Sequence, residues 1–589
     1  MTADERDRYI AVIDQDEVTD EVRDIAVNYD PVNRAGGEGF HVTEDGELHI
    51  DDAKVIAEHA LIEKKIPNDA IRIVPLPTAT GQLVHQYGQN GFQLYNLPSP
   101  IRGRVVGLLG RNGIGKSTAL RILAGDLVPN LGEPEADHDW SAVIDALGGT
   151  TLQAHLAGLR DGSVTTAYKP QRVDRGSASE KTVAEIIGNT ASSVIDRLAV
   201  RTLLDRQLST LSGGQRQRVL IAATLTSEAD LYLFDEPSSF LDVQQRLTVA
   251  RTIREHIAET DATAIVVEHD LMTLDLLSDT IHVLYGEPGG FGVVAQQLAT
   301  RAGINQFLNG ELKEENVRIR PDAIEFPSAG QRRVDHDSPV LTYPELRKSF
   351  DEFTLTVASG RIHAGETIGI VGENALGKTT FVKLLAGGLS PDVGTVPGNA
   401  TVSYKPQYLS AAETTTVRER FAAVTDIYAT SFKRQIRDPF ELEPLFDRSL
   451  ADLSGGELQR VGIALCLARE ADLYLLDEPS AFLDVDRRAT VVDSLRRFSQ
   501  QTERPVLVVD HDLFVIDRVA DRLIVFEGTS GERGQAGAPQ PMREGMNTFL
   551  EALGITFRRD ARSGRPRVNK PDSQLDREQK TRGEYYYNS

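Results

Sequence analysis

One nine-residue pattern occurs twice and constrains the fold of this chain more than any other feature: "GRNGIGKST" at 110–118 and "GENALGKTT" at 372–380. Each follows a short apolar run, "RVVGLL" or "TIGIV", and precedes a helix-compatible stretch, "ALRILAG" or "FVKLLAG". Strand, glycine-rich loop and helix in that order make a phosphate cradle, because backbone N–H groups and the positive helix N-terminus face the anion. Gly110, Asn112, Gly113, Gly115, Gly372, Asn374 and Gly377 belong to the two cradles. Lys116 and Lys378 reach the outer phosphates. Ser117 and Thr379 offer hydroxyls to Mg2+, with Thr118 and Thr380 beside them. A chance glycine-rich turn would not bring the same flanks twice.

Further segments recur in the same order. "YKPQ" stands at 168–171 and 404–407, "LSGGQRQR" at 211–218 returns as "LSGGELQR" at 453–460, and "LYLFDEPSSFLD" at 231–242 returns as "LYLLDEPSAFLD" at 473–484. "VVEHD" at 266–270 returns as "VVDHD" at 508–512. This ordered set resembles the ATP-binding cassette superfamily over about 80–545. The expected fold is α/β, with two ATP-binding cassette domains of the P-loop NTPase type in one chain.

The roles that this resemblance implies agree with elementary chemistry. "LYLFD" reads as a buried strand whose Asp235 binds Mg2+, and Asp477 is its counterpart. The following Glu236 and Glu478 polarise the attacking water, since phosphoryl transfer is mostly positioning and charge neutralisation. Gln171, Gln407, His269 and His511 match positions that sense the γ-phosphate and order the water, the two glutamines also serving the metal. Ser212, Gly213 and Gly214, and likewise Ser454, Gly455 and Gly456, start helices and offer further anion sites. In the superfamily these face the opposite cassette's loop. Lys116, Asp235, Glu236 and His269 would then join Ser454, Gly455 and Gly456, while Lys378, Asp477, Glu478 and His511 join Ser212, Gly213 and Gly214. Tyr87 and Phe350 stand where an adenine-stacking aromatic belongs, though both also suit a core. Ala375 replaces Gly113, and a position needing positive φ would strain it and set the second site differently.

Composition narrows the setting. No run approaches the roughly 18 apolar residues of a membrane helix, and the start "MTADERDRYIAVID" has no signal pattern. The reading is a cytoplasmic protein without a membrane partner. The net charge is −23, from 87 acidic and 64 basic residues. We read this as adaptation to a very salty cytosol, as in a halophilic archaeon. There a Debye length near 3 Å at about 1 M salt stops bulk charge from repelling RNA.

The halves differ in one place. Gln171 lies 55 positions after Lys116, whereas Gln407 lies 29 after Lys378. The extra residues fall in 131–165, where "DWSAVIDALGGTTLQAHLAGL" has helix-like apolar spacing around a "GG". This predicts a helix–turn–helix insertion, either a contact device or a surface decoration. Residues 303–340 form a short hinge between the cassettes, and 545–589 a second hinge and tail. "GINQFL" and "GMNTFL" echo each other before Arg-bearing stretches, which suit either RNA phosphate or neighbouring carboxylates.

With "PNLG", "LYGEPGGFGVV" and "ITFRRD", these segments resemble ABC family E, the ribosome-recycling ATPase or RNase L inhibitor family. The resemblance implies ATP and Mg2+ as cofactors, and as partners the ribosomal small subunit and a release or rescue factor. It also implies rRNA contacts through the insertion and hinges, and a monomer whose cassettes pair within one chain. The expected activity is ATP-driven clamp closure for subunit splitting or small-subunit binding after termination. The alternatives are a non-splitting ribosome- or RNA-binding regulator, or a cytosolic transporter ATPase subunit.

The family's N-terminal domain is ferredoxin-like and holds two four-iron clusters on eight cysteines. Here 1–79 keeps the framing "YIAVID" and "AIRIVPLP", but the chain's one cysteine is Cys466. The thiolate positions carry Val18, Val22, Ala26, Asp30, Ile56, His59, Ile62 and Ile66. The expectation is a small α+β ferredoxin-like domain without an iron–sulfur cluster, packed with apolar side chains where iron would sit.

Overall fold

The structure, a computed structural model, describes residues 8–77, 80–136, 138–149, 151–171, 180–188, 190–326, 339–396, 398, 400–407 and 414–586. The expected domain limit at 79, residues 327–338 of the expected hinge, and the ends 1–7 and 587–589 lie outside the described residues. The chain forms two compact units. One comprises residues 1–239, 249–269 and 277–323, the other 240–248, 270–276 and 324–589. No helix among the described residues is long and apolar enough to cross a membrane.

The first unit opens with the small α+β domain. Strands Arg8–Ile13 and Ile71–Leu76 pair antiparallel, Arg8 opposite Leu76. The two framing segments expected from sequence are therefore the domain's main strands. Helices Asp20–Tyr29 and Ala60–Glu63 cover them. Val18, Val22, Ala26, Ile62 and Ile66 pack into one core with Phe40, Leu48, Ile50 and Val55. Ile56 departs from expectation: it is exposed, and its neighbour Val55 enters the core instead. Residues Ala57–His59 form a tight turn with Ile56 at its cap, which directs the Ile56 side chain outward.

The rest of this unit is built on a nine-stranded sheet whose central strands run Thr280–Glu287, Val105–Leu109, Thr263–Val267, Leu231–Asp235 and Thr166–Lys169 in parallel. Three of them are buried along their whole length and Thr280–Glu287 over residues 281–285, in keeping with their continuous apolar sequence. The loop after Val105–Leu109 leads into helix Lys116–Ala124. The insertion forms helices Trp140–Ala146 and Thr151–Asp161, as the spacing predicts. Val143, Ile144, Leu147, Leu152 and Leu156 join the core beside Leu120 and Leu123 of the loop helix. The apolar periodicity is thus the insertion's inner face, leaving the opposite face for any partner.

The second unit repeats the sheet with central strands Arg522–Thr529, Thr367–Val371, Val506–Val509, Leu473–Asp477 and Val402–Lys405. Helix Lys378–Leu385 follows its loop. The echo of "GINQFL" and "GMNTFL" is structural: helices Thr300–Asn309 and Met542–Ala552 each press a glycine against a sheet strand. A Cβ on Gly303 would meet Ile281 at 2.6 Å, and one on Gly545 would meet Leu523 at 2.6 Å. A two-stranded hairpin follows each helix, Glu311–Leu312 with Val317–Arg318 and Phe557–Arg559 with Pro566–Val568.

Candidate functional sites

In each unit a glycine turns the loop into its helix. Gly115 and Gly377 have φ of 86° and 91° at the helix cap, and a Cβ there would strike Phe92 or Phe353 within 3 Å. Gly113 has φ of 77°, and Ala375 adopts the same left-handed conformation at 60°. Its carbonyl accepts from Gly531 N at 3.1 Å, as Gly113 accepts from Gly289 N at 2.9 Å. The second loop therefore keeps the geometry of the first, with the strain that alanine brings.

Lys116 and Lys378 curl back over their loops. Lys116 Nζ donates to the carbonyls of Gly110 and Arg111, and Lys378 Nζ to those of Gly372 and Glu373. Burial pushes the Lys378 ammonium down to about 8, against the pull of Asp242, Glu478, Asp477 and Glu373. Asn112 lies exposed at the tip of the first loop. Asn374 N donates to Asp242 Oδ2 at 3.0 Å. Thr118 Oγ1 meets Tyr87 Oη at 3.3 Å, and Thr380 is half-buried on the second loop helix.

The hydroxyl–carboxylate pair expected to hold the metal forms in both units. Ser117 Oγ donates to Asp235 Oδ2 at 2.7 Å, and Thr379 Oγ1 to Asp477 Oδ2 at 2.8 Å. Burial pushes both carboxyls up, and the neighbouring glutamates push the same way. A hydroxyl and a buried carboxylate at a phosphate loop are hard oxygen donors, so the residues fit Mg2+. Glu236 and Glu478 stand next to them. Gln171 Nε2 donates to Glu236 Oε1 at 2.7 Å and Gln407 Nε2 to Glu478 Oε1 at 2.8 Å. His269 Nε2 and His511 Nε2 each lie 3.5 Å from the same carboxylate oxygens. Burial alone would raise the Glu478 carboxyl, but His511, Gln407 and Lys378 outweigh it and hold it at about 2. The residues expected to handle the attacking water are therefore gathered on one carboxylate in each unit.

The signature serines cap helices Gly213–Thr226 and Gly455–Ala468. Ser212 Oγ accepts from Gln215 N and Ser454 Oγ from Glu457 N, while Gly213, Gly214, Gly455 and Gly456 form the first turns. Tyr87 and Phe350 are exposed at 40 % and 46 %, so neither is a core residue. His85 meets Tyr87 edge-on at 4.6 Å, and Phe353 stacks beside Phe350 at 6.4 Å.

The ABC transporter family matches residues 101–239 and 355–481. Translation initiation factor RLI1 of Saccharomyces cerevisiae is 39 % identical over 574 residues, 95 % of this chain and 94 % of that protein. An archaeal structure titled as a model of ribosome-bound Pelota and ABCE1 matches with TM-score 0.92 and 47 % identity, covering 99 % of this chain and 100 % of that one. The archaeal ribosome recycling factor aABCE1, solved with ribosomal stalk protein aP1, matches with TM-score 0.81 and 49 % identity over 86 % and 99 % of the two chains.

The chain belongs to ABC family E. Like its relatives it is an ABC-type ATPase with two cassettes. Family E domains of this kind use cysteine-bound clusters, and here the donors do not fit. Cys466 is buried in the second unit's signature helix, and burial raises its thiol to about 11. At the thiolate positions of the N-terminal domain, seven of the eight side chains are buried, Asp30 and His59 as a pair and five as apolar core.

Four further residues that the motifs do not single out stand beside Glu236 and Glu478. Lys169 and Lys405 stand inside the quoted "YKPQ" segments, and Gln217 and Gln459 inside the signature helices. Their identity in both halves was the available signal.

Proposed function

We propose that this chain is a mechanical ATPase of the ribosome, whose hydrolysis cycle separates ribosomal subunits or holds the small subunit after termination. The observation that carries this reading is a complete hydrolytic set in both units of a family E chain. The similar archaeal proteins, titled as ribosome-bound with Pelota or as a recycling factor with a stalk protein, support a ribosomal site of action in the cytoplasm. Its partners are then the small subunit and a release or rescue factor. The outward face of 131–165 and the hinge hairpins are the candidate rRNA contacts, and the active form is a monomer.

In each site Lys116 or Lys378 and the loop N–H groups hold the nucleotide phosphates. Tyr87 and Phe350 offer their exposed rings to the adenine. Ser117, Asp235 and Gln171, or Thr379, Asp477 and Gln407, would hold Mg2+, which would supply charge neutralisation on the phosphates. Glu236 and Glu478 accept the proton of the attacking water. Gln171 and His269, or Gln407 and His511, orient that carboxylate, and His511, Gln407 and Lys378 keep Glu478 ionised. On this reading the N-terminal domain holds no iron–sulfur cluster.

A second reading, small-subunit binding without splitting, is favoured by the replaced cluster ligands. Sucrose-gradient sedimentation of ribosomes with Glu236→Gln/Glu478→Gln protein and ATP separates the two. Free small subunits carrying the protein support splitting, and undivided ribosomes with protein on small subunits alone support the second reading. No co-sedimentation overturns both.

A further inference from the structure

Glu236 and Glu478 share an unusual backbone. Each has φ of 48°, a left-handed conformation that a residue with a Cβ adopts at a cost of about 1–3 kcal/mol. Such a peptide stays in place only when its surroundings hold it. On the amide side, Glu236 N donates to Val267 O at 3.0 Å and Glu478 N to Val509 O at 2.8 Å.

The carbonyl side is held by side chains from two other elements. Lys169 Nζ donates to Asp235 O at 2.8 Å and to Glu236 O at 3.4 Å. Gln217 Nε2, on the signature helix, donates to Glu236 O at 2.8 Å. The second unit repeats each bond: Lys405 Nζ to Asp477 O at 2.9 Å and Glu478 O at 3.3 Å, and Gln459 Nε2 to Glu478 O at 2.6 Å. All four side chains are buried, the lysines to 1 % exposure. Two separate stretches of sequence thus converge on the glutamate carbonyl in both halves.

A buried ammonium is an expensive way to satisfy a carbonyl. Burial pushes Lys169 and Lys405 down to about 8, even with Asp235, Glu236 and Glu268, or Asp477, Glu478 and Asp510, pulling the other way. Removing the ammonium alone would leave its carbonyls and the neighbouring carboxylates buried without their partner. The cost of the buried charge is offset by the carbonyls it holds, those of the strand end and of the glutamate after it.

We propose that Lys169 with Gln217, and Lys405 with Gln459, are positioning residues for hydrolysis: they lock the left-handed peptide of the catalytic glutamate so that its carboxylate stays on the attacking water. Lys169 sits two residues before Gln171, which holds the carboxylate of the same Glu236. One strand end therefore grips the glutamate by its backbone and its side chain. Gln217 links that grip to the signature helix, so a displacement of the helix start is transmitted to the glutamate peptide. This inference rests on ATP hydrolysis alone and is independent of the ribosomal reading.

The test uses the full chain and Mg2+-ATP. Lys169→Met/Lys405→Met should lower kcat about tenfold or more while KM changes less than about twofold, because the lost contact acts on the glutamate and not on the nucleotide. Its melting temperature should fall, because buried carbonyls lose their donor, so turnover is measured well below the melting transition. In the Glu236→Gln/Glu478→Gln background the methionines should cause no further loss of turnover. Gln217→Leu/Gln459→Leu provides a second route should the methionine variant not fold, with a smaller fall in kcat of about threefold expected from one lost neutral hydrogen bond. Unchanged kcat in either variant while it is fully folded, or a loss that lies in KM and not in kcat, overturns the proposal.

Discussion

Arg559 grips the Asp517 carboxylate with both terminal nitrogens, at 2.7 and 2.9 Å. The Tyr586 hydroxyl, near the end of the chain, closes on the same carboxylate. On the other strand of the hairpin, Arg567 holds Asp275 in the same bidentate way at 2.7 and 3.0 Å, with Arg565 beside it. Asp275 and Asp517 occupy equivalent positions, each six residues after a histidine of the hydrolytic set, His269 or His511. The basic hinge could have served RNA phosphate or carboxylates by sequence. For Arg559, Arg565 and Arg567 the structure answers carboxylates.

This pairing makes a stability prediction. Arg559→Ala leaves Asp517 buried without its counter-charge, so the second unit should lose about 3 kcal/mol. Differential scanning calorimetry should show that loss, and Tyr586→Phe should cost about 1 kcal/mol from one removed hydrogen bond. An Arg559→Ala protein that melts with the parent would mean the pair contributes no net stability.

The left-handed pair Gly113 and Ala375 gives a reciprocal experiment. Gly113→Ala has room for its Cβ, 3.4 Å from Pro288 Cβ, so it carries only the conformational strain of about 1 kcal/mol. Ala375→Gly relieves strain of the same kind. Chemical denaturation should show opposite shifts for the two variants, with both retaining ATP turnover. Two shifts of the same sign would place the difference in side-chain packing.

ATP binding should take up a proton at alkaline pH. The free site holds Lys378 at about 8 because burial disfavours its charge. Bound polyphosphate favours the charged form and moves that value upward. Protons are then taken up wherever the free lysine is neutral, so affinity falls as pH rises past about 8, by up to about tenfold per unit. Calorimetric titrations at pH 9 in two buffers of different ionisation heat should differ. Lys378→Arg, charged at every such pH, should reduce the difference, and identical heats for the parent would reject the coupling.

Much of both sites was legible because the chemistry is local in the chain. A phosphate loop, its helix cap and its lysine lie within nine residues, and the strand ending in Asp235 and Glu236 carries its own apolar signature. The insertion's helices were equally legible from apolar spacing. Contacts between distant segments were not. Lys169 reads as an ordinary strand lysine until its carbonyl partners, 66 and 67 positions away, are in place. The partner of Arg567 lies 292 positions away, so charge alone left its role open. At Ile56 the register of the thiolate positions misled, because a tight turn there sends Val55 inward.

The N-terminal domain should fold and stay intact without iron. A cluster needs thiolates, usually four, and the donor positions are filled by Val18, Val22, Ala26, Ile62 and Ile66 in one apolar core. The two polar replacements satisfy each other. Ile56 N donates to His59 Nδ1 at 3.0 Å, so the imidazole proton sits on Nε2 and is donated to Asp30 Oδ1 at 3.1 Å. Asp30 also accepts from the backbone of Val32, Asn33 and Phe40. This pair ties helix Asp20–Tyr29 to the turn before helix Ala60–Glu63, two segments that a cluster would otherwise bridge. Anaerobically purified protein should therefore be colourless and free of stoichiometric iron, and limited proteolysis should spare 8–76. His59→Ala removes one of the four donors to the buried Asp30 carboxylate and should cost about 1.5–3 kcal/mol, opening the domain to protease. Stoichiometric iron in the parent would refute the metal-free domain. Equal protease resistance in His59→Ala would show that the apolar core alone holds the two segments together.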